Sequence, residues 1–598
     1  MKKHAKASDT TGRLQYYYAA GLFVFCLLIG RFGQWGPNVK FRLPFTVFLT
    51  ILFLAPAIWF FRLYLNRRDW RSATPCLQLS VLSIFLLYLM QYIGSLRDEE
   101  RAVNTGIDTY LFWGILTVFL AVSVLPFLVD RKRLISEAEV YYALGCAMLI
   151  RLFYIVLMQG HIFQNDMGGF EESSYGHLGY AYHIYAGENL LKVDPVGLDQ
   201  LYHPPLYHFC TALYLRIETI LGADMLHADE IAQTFSLFLS GILLLFLVKI
   251  CRKLGADAAA TCLAIACISV IPYMIMNSGA NNNDPLAATL CTVSIYCGLC
   301  WRKSHSMKDI LLMGLTIGCA MMAKMSGAML AFSMAVFMLL VVWEDRKHLR
   351  KYIGQFAAFG AVSGITGLWH TIYNYVKFGV PFDYFPRVNE SYDMFLPDFD
   401  KWQLLFDFKD GLMYLTPQYQ RDKGYIEHNI LLSVLKHSVF NEGYAYEATP
   451  ISNFMGITVF VTVCILFAAF AAASVIVLVR KGPALCNKIL IVGCTAANAL
   501  CLIKVVFAQP FVCTMNVRYI ILALVTGSVT IAMAVSSKGD LQSAEADFKA
   551  LEEISLTPGK AESSAPSPVR PGVLYGISLL LLLMACEWTM SLQMLFNF

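Results

Sequence analysis

The sequence predicts an all-α polytopic membrane protein, and three observations carry that reading. Only 15% of the 598 residues are charged, against roughly a quarter in soluble domains. Hydrophobic residues make up 57%, and they gather in uninterrupted runs of about twenty, the length that crosses a bilayer as helix. Runs such as GILLLFLV (241–248) and FVTVCILFAAFAAASVIVLV (460–479) show neither a period of two nor a helical period. Lipid or other helices must therefore surround them on every side.

Read in order, about fifteen segments satisfy the length criterion. The first, near 15–32, follows the basic start MKKHAKASDTTGR; no small-residue cleavage site accompanies it, so it reads as an uncleaved first span. Segments near 43–64, 76–95 and 109–129 complete an N-terminal block of four helices, residues 1–138. The remaining cores lie near 139–159, 231–250, 257–276, 285–302, 309–325, 328–343, 352–375, 453–479, 488–507, 514–535 and 573–594. Cytoplasmic loops favour Lys and Arg. Clusters such as Arg67/Arg68/Arg71, Arg131/Lys132/Arg133, Lys249/Arg252/Lys253 and Arg480/Lys481/Lys488 then place the N-terminus inside. Arg31, Lys40 and Arg42 in the first outer loop run against the rule.

The same rule decides residues 204–222 (PPLYHFCTALYLRIETILG). If they spanned, every later basic cluster would face outward, so they read as an interfacial or re-entrant helix with Pro204-Pro205 in its first turn. Two long loops, 160–203 and 377–452, then face outward from a body covering 139–535. The polar stretch 536–571 reads as a flexible cytoplasmic linker, and 572–598 as a last membrane helix. The protein is expected in the plasma membrane.

Composition also excludes several classes. The net charge of +4 is spread through short clusters between spans, which gives no footprint for nucleic acid. The 17 cysteines fall mostly in apolar runs, where they act as small packing residues rather than as a disulfide or zinc framework. No GxxxxGK[ST] nucleotide fingerprint is present.

Chemistry concentrates on the outward side. Five of the 12 histidines fall between His161 and His208, beside Asp166, Glu171 and Glu172. Titratable groups gathered at a membrane surface mark a functional site, although a polar loop is the plainer alternative. Phe163, Phe170, Tyr175, Tyr180, Tyr182, Tyr185 and Tyr202 suit sugar stacking, and equally an interfacial aromatic belt. A second turn, NSGANNNDPLAA (277–288), sets Asn281, Asn282, Asn283 and Asp284 at the start of a span. There Asp284 could serve merely as a helix cap. A third, AKMSG (323–327), holds Lys324, a lone cation that snorkels or meets phosphate. A fourth, NVRYIILAL (516–524), holds Arg518 and Tyr519, and Arg matches phosphate geometry. Carboxylates, cations and aromatics together suit a substrate with a phosphate head and a lipid tail.

At these residues the chain resembles the GT-C superfamily of membrane glycosyltransferases, in particular the bacterial protein O-mannosyltransferase-like group (glycosyltransferase family 39). The likeness rests on QNDMGGFEESSYGHLGYAYHIYAG, YHPPLYH (202–208), NNNDPLA (281–287), GLTIGCAMMAKMSG (314–327), NYVKFGVPF (374–382) and NVRY (516–519). YHPPLYH after an acidic first outer loop is the most specific of them. The resemblance implies a GT-C-like transmembrane core with interfacial helices in its first outer loop. It assigns Asp166 as catalytic base, with Glu171 and Glu172 as rivals and His177 beside them. Tyr202, His203, Asn283, Asp284, Lys324, Asn374, Arg518 and Tyr519 would bind substrate, Lys324 and Arg518 taking the carrier phosphate. Two departures stand out. Tyr373 precedes Asn374 where many members carry Arg, and the four N-terminal helices have no counterpart.

The expected activity is transfer of a hexose-type sugar from a polyprenyl-phosphate carrier to a glycan, lipid or protein acceptor at the outer face. A divalent metal ion held by histidines and acids is a candidate cofactor. The alternative is a transporter or flippase of a lipid-linked saccharide. Transporters tend to carry inverted repeats and mid-bilayer charges; no repeat is evident here, and most charges sit at span ends.

Overall fold

A computed structural model describes residues 2–32, 137–158, 160, 164–198, 200–346, 349–382, 384, 394–419, 425–441, 450–537, 539, 541–542 and 571–596. The spans expected near 43–64, 76–95 and 109–129, and most of the 536–571 linker, lie outside these residues. Among the described residues the chain forms seventeen α-helices and no strand, with one isolated antiparallel bridge between Phe395 and Phe511.

The helices are α1 (Lys2–Phe32), α2 (Glu137–Leu157), α3 (His177–Ala186), α4 (Leu206–Ile220), α5 (Ala228–Lys253), α6 (Ala258–Val270), α7 (Pro272–Met276), α8 (Asp284–Ser304) and α9 (Met307–Ala323). There follow α10 (Met329–Glu344), α11 (Leu349–Phe378), α12 (Lys401–Phe406), α13 (Ile430–Phe440), α14 (Pro450–Val479), α15 (Leu485–Ala508), α16 (Ile521–Val535) and α17 (Pro571–Phe596). Among the described residues five helical segments, Met225–Lys253, Met325–Glu344, Met455–Val479, Leu485–Ala508 and Val517–Val535, are long and apolar enough to cross a membrane. The chain is an all-α polytopic membrane protein.

Local chemistry sets the breaks. Asp229 and Glu230 open α5, and Arg252 and Lys253 close it, each matching the helix dipole. The span expected over 257–276 is not straight: α6 and the helical turn after it meet at 85°. Pro272, at the first position of α7, cannot donate the hydrogen bond that would continue α6. Residues 512–520 form 3-10 turns before α16 begins at Ile521. Pro204 and Pro205 precede α4 rather than lying inside it, Pro205 standing at its N-cap. Between α9 and α10, Lys324 is extended and Gly327 lies so close to Ala320 that a Cβ would stand 2.7 Å from its carbonyl carbon.

Helix pairs approach through small residues, as membrane packing favours. Gly318 of α9 and Gly367 of α11 face each other, a Cβ on Gly367 lying 3.1 Å from the Gly318 Cα. Arg151, fully buried in α2, is held by Ser240, Ser269 and the Ala147 carbonyl. The N-terminal helix α1 leans on α4 and α5, with the Arg31 guanidinium donating to the Leu221 carbonyl at 2.7 Å. The last helix, α17, packs on α6 and α14 and buries Trp588 completely.

Candidate active site: two ion pairs around one tyrosine

The loop over 160–203 is pinned to the turn before α8 by amides. Gln164 accepts from the Asn281 N–H at 2.7 Å and donates to the Gly279 carbonyl at 2.9 Å. The Asn281 side chain donates to the carbonyls of Gly160 and Asp229. Asn282 accepts from the Asp284 N–H at 3.0 Å, while Asn283 is the N-cap residue of α8 and is buried. The asparagine run thus builds the turn that presents Asp284. The capping alternative for Asp284 fails, because it is the first residue inside α8 and its carboxylate goes elsewhere.

Asp166 follows directly. Its backbone is left-handed, with φ of 57°, a region Asp tolerates better than most residues. The N–H groups of His177 and Leu178, at the start of α3, donate to the carbonyls of Asp166 and Met167 at 2.9 and 2.7 Å. Gly168 and Gly176 make that contact feasible: a Cβ on Gly176 would lie 2.2 Å from the Gly168 nitrogen.

The side chains then form a line across the elements. Asp166 Oδ2 meets Arg518 Nη1 at 3.0 Å. Arg518 Nη2 donates to the Tyr519 hydroxyl at 3.0 Å, and its guanidinium stands 5.0 Å from that ring's centre. Lys324 Nζ lies 5.3 Å from the same ring centre and pairs with Asp284 Oδ1 at 2.5 Å. Two cations therefore flank one aromatic ring, and each is balanced by a carboxylate beyond it. Asp166 is the accessible member: its side chain is 46% exposed, against 13% for Arg518, 12% for Lys324 and 5% for Asp284. Asp284, Arg518 and Tyr519 also line a small cleft of about 40 Å³, whose other walls include Ala288, Cys291, Met329 and Leu522.

Beside this line stand three histidines. His177 Nδ1 and His208 Nε2 share a hydrogen bond of 3.0 Å with rings nearly parallel, and His203 stacks near His177 at 5.6 Å. Tyr180 stacks on His208 at 4.0 Å. Burial holds His177 and His203 well below the ordinary histidine range; His208 for the former and Lys324 for the latter push further the same way. Burial brings His208 down to about 3. All three are neutral at physiological pH. Among the described residues no group of three or more His, Cys, Asp or Glu is placed to hold a metal ion. Tyr202 lies against His203 at 4.1 Å. Burial raises its phenol, with Tyr519 and Asp166 adding to the effect, which puts it beside the Asp166–Arg518 pair.

Asp166, His177, Tyr202, His203, Asp284, Lys324, Arg518 and Tyr519 are thus brought together from across the chain. Glu171 and Glu172 are exposed, and no ion pair joins them to this group among the described residues. Asn374 is buried in α11, and no hydrogen bond among the described residues joins it to either ion pair. Its neighbours Tyr373 and Lys377 reach instead to the Leu191 carbonyl in the 160–203 loop. Gln164, Asn281 and His208 carry much of the geometry without standing out as site residues in the sequence. Only the five-residue spacing of His203 and His208 around Pro204-Pro205 hinted at the last.

The comparison with known families bears on this group directly. Residues 202–369 match the family model described as dolichyl-phosphate-mannose-protein mannosyltransferase. The chain resembles a membrane mannosyltransferase. The matched stretch begins at the Tyr202 of YHPPLYH and contains Asp284 and Lys324, while Asp166 and Arg518, paired with each other, lie outside it and meet it across the Tyr519 ring that Lys324 flanks. No curated protein matches the chain. The likeness to GT-C glycosyltransferases read from the motifs is thereby supported, along with a membrane glycosyltransferase activity that uses a polyprenyl-phosphate sugar.

Proposed function

We propose that the protein transfers a hexose-type sugar from a polyprenyl-phosphate carrier to a glycan, lipid or protein acceptor on the extracytoplasmic side of the plasma membrane. The observation that carries this reading is the line Asp166, Arg518, Tyr519, Lys324, Asp284. It offers a carboxylate to the acceptor and two cations to a phosphate. In the reaction the acceptor oxygen attacks the anomeric carbon of the sugar. The bond from that carbon to the phosphate oxygen breaks, and its electron pair leaves with the polyprenyl phosphate. The acceptor proton passes to Asp166.

The ion pairs set an order on these events. While Arg518 holds Asp166 Oδ2, that oxygen is engaged and cannot take a proton readily. An incoming phosphate competes for the guanidinium, which binds phosphate in a bidentate fork, and so releases the carboxylate as the donor arrives. Lys324 and the Tyr519 hydroxyl then face the charge that develops on the leaving phosphate, where preorganised groups contribute most. The neutral histidines His177 and His203 offer hydrogen bonds to the acceptor without adding charge. Asn283 and Asn374, Glu171 and Glu172 are assigned at most to shaping the acceptor side.

The test is release of polyprenyl phosphate from a polyprenyl-phosphate hexose by the purified protein in detergent. Arg518→Ala should lower donor turnover by about 10²–10³-fold, and Arg518→Lys by less, since charge persists without the fork. A transporter would release nothing in detergent and would move the intact donor between two compartments. That result removes the proposed reaction, whereas full turnover in Arg518→Ala removes Arg518 from the site.

A further inference from the structure

The second outer loop carries an apolar surface with no role in the line of charges. Helix α12 opens with a complete capping box, in which Asp400 accepts from the N–H groups of Trp402 and Gln403 while the Gln403 side chain accepts from the Asp400 N–H. This box fixes a short, rigid element. Its inward face is apolar: Leu404 is buried in the core and Leu405 packs against it. An ordinary loop helix would be polar on the opposite face. Here that face carries Trp402 and Phe406, 72% and 64% exposed, with rings stacked 5.7 Å apart. The turn that follows adds Leu412 and Met413, 73% and 76% exposed.

The position of this surface identifies what covers it. The segment just before α12 is bound to the end of a membrane-crossing helix. The Leu396 N–H donates to the Pro510 carbonyl at 2.9 Å, and the Val512 N–H to the Met394 carbonyl at 3.0 Å. Lys401, the first residue of α12, sits over the ring of Phe507 at 5.4 Å, and Phe507 belongs to the last turn of α15, one of the apolar crossing helices. Helix α12 therefore lies at the level where α15 leaves the bilayer. Trp is the residue that settles at that level, with its ring among headgroups and upper acyl chains. Lys401, Lys409, Asp400 and Asp410 surround the apolar residues with both signs of charge, so the contact needs no anionic lipid.

We propose that Trp402, Phe406, Leu412 and Met413 form an interfacial anchor that dips into the leaflet on the active-site side. Through it the membrane holds the second outer loop, whose Asn441 in turn reaches Asn165, the residue beside Asp166, at 3.4 Å. The anchor stands whether or not the proposed sugar transfer is correct, because it rests on a different part of the chain. It is tested in the full-length protein in phosphatidylcholine nanodiscs. Nitroxide labels at Trp402→Cys and, separately, Met413→Cys are read by power saturation, after subtraction of the signal from identically treated unsubstituted protein. Oxygen should relax both labels several-fold more effectively than a water-soluble nickel chelate. Nickel dominance at either position is what a water-facing docking surface for a soluble acceptor would give, and it overturns the anchor.

Discussion

The loops over 160–203 and 377–452 each contribute a charged pair, and the pairs differ in every respect that separates a working group from a structural one. In the second loop Lys436 and Glu427 are nine positions apart, and their side chains are 1% and 0% exposed. Lys436 also donates to the Gly411 carbonyl at 2.8 Å, and the other Glu427 oxygen accepts from Tyr425 at 2.9 Å. In the first loop Asp166 pairs with Arg518 across 352 positions, and Asp166 remains nearly half exposed. The sealed pair has its partners within its own loop and no room for another. The open pair joins two distant parts of the chain and still faces solvent. Burial and saturation of hydrogen-bonding capacity, more than charge, distinguish them.

That contrast is broken most directly by crossing the two sites. Asp166→Asn keeps the size and most of the hydrogen bonding but removes the base, so turnover should fall by about 10²–10⁴-fold. The thermal midpoint should barely move, because a half-exposed pair contributes little to stability. Lys436→Met should behave in the opposite way. It strands the Glu427 carboxylate in the interior, which costs about 3–5 kcal/mol. The protein that remains folded should turn over normally, and adding Glu427→Leu should recover most of the loss. Turnover assays and thermal unfolding on both variants decide the matter. If Asp166→Asn is active, or if Lys436→Met damages chemistry but not stability, the distinction drawn from burial is wrong.

The same pairs show what a sequence makes legible. The membrane class and most helix positions followed from apolar runs and their punctuation, since the bilayer imposes length directly. The break at Ile271–Pro272 was visible only as a proline, and its 85° bend depends on the packing of α6. Asp284, Lys324 and Arg518 were legible as charges at span ends, and Asp166 as a carboxylate in the loop over 160–203. Which carboxylate meets which cation was not, because the pairs close over 352 and 40 positions. Asn281 read only as one of the amides beside Asp284 and is a clamp, because the carbonyls of Gly160 and Asp229 that it holds are announced by no local pattern. The Lys436–Glu427 pair gave no signal at all, being set in a loop where charges are ordinary.

A smaller effect sharpens the comparison through pH. His208, hydrogen-bonded to His177, is brought down to about 3 by burial, against about 6.5 in an unfolded chain. The unfolded state therefore binds a proton that the folded state refuses. The stability this group contributes is complete above pH 6.5 and is lost as pH falls towards 3, at up to about 1.4 kcal/mol per pH unit. The thermal midpoint should decline between pH 6 and 4, and His208→Gln should flatten that decline by one proton's worth. An unchanged slope in His208→Gln would mean that the histidine stack is not sealed, and that the first loop is more open than its rings imply.

The smallest effect expected is at Glu171 and Glu172, and it is informative because it is small. Both carboxylates stand exposed in the same loop as Asp166, so sequence position alone makes them its equals. They differ in placement: Asp166 is fixed by the start of α3 and by Arg518, whereas Glu171 and Glu172 stand off the line of charges. A base must reach the acceptor proton within hydrogen-bond distance, and a group held by nothing is rarely in that position when it is needed. Glu171→Gln and Glu172→Gln should each change turnover by no more than about 2–3-fold, on the scale where general-base loss is at least about a hundredfold. Their chief effect should be on KM for the acceptor, since both lie on the accessible side of the loop. A hundredfold loss in either variant, with Asp166→Asn near normal, would transfer the base to that residue and make the Asp166–Arg518 pair the structural one.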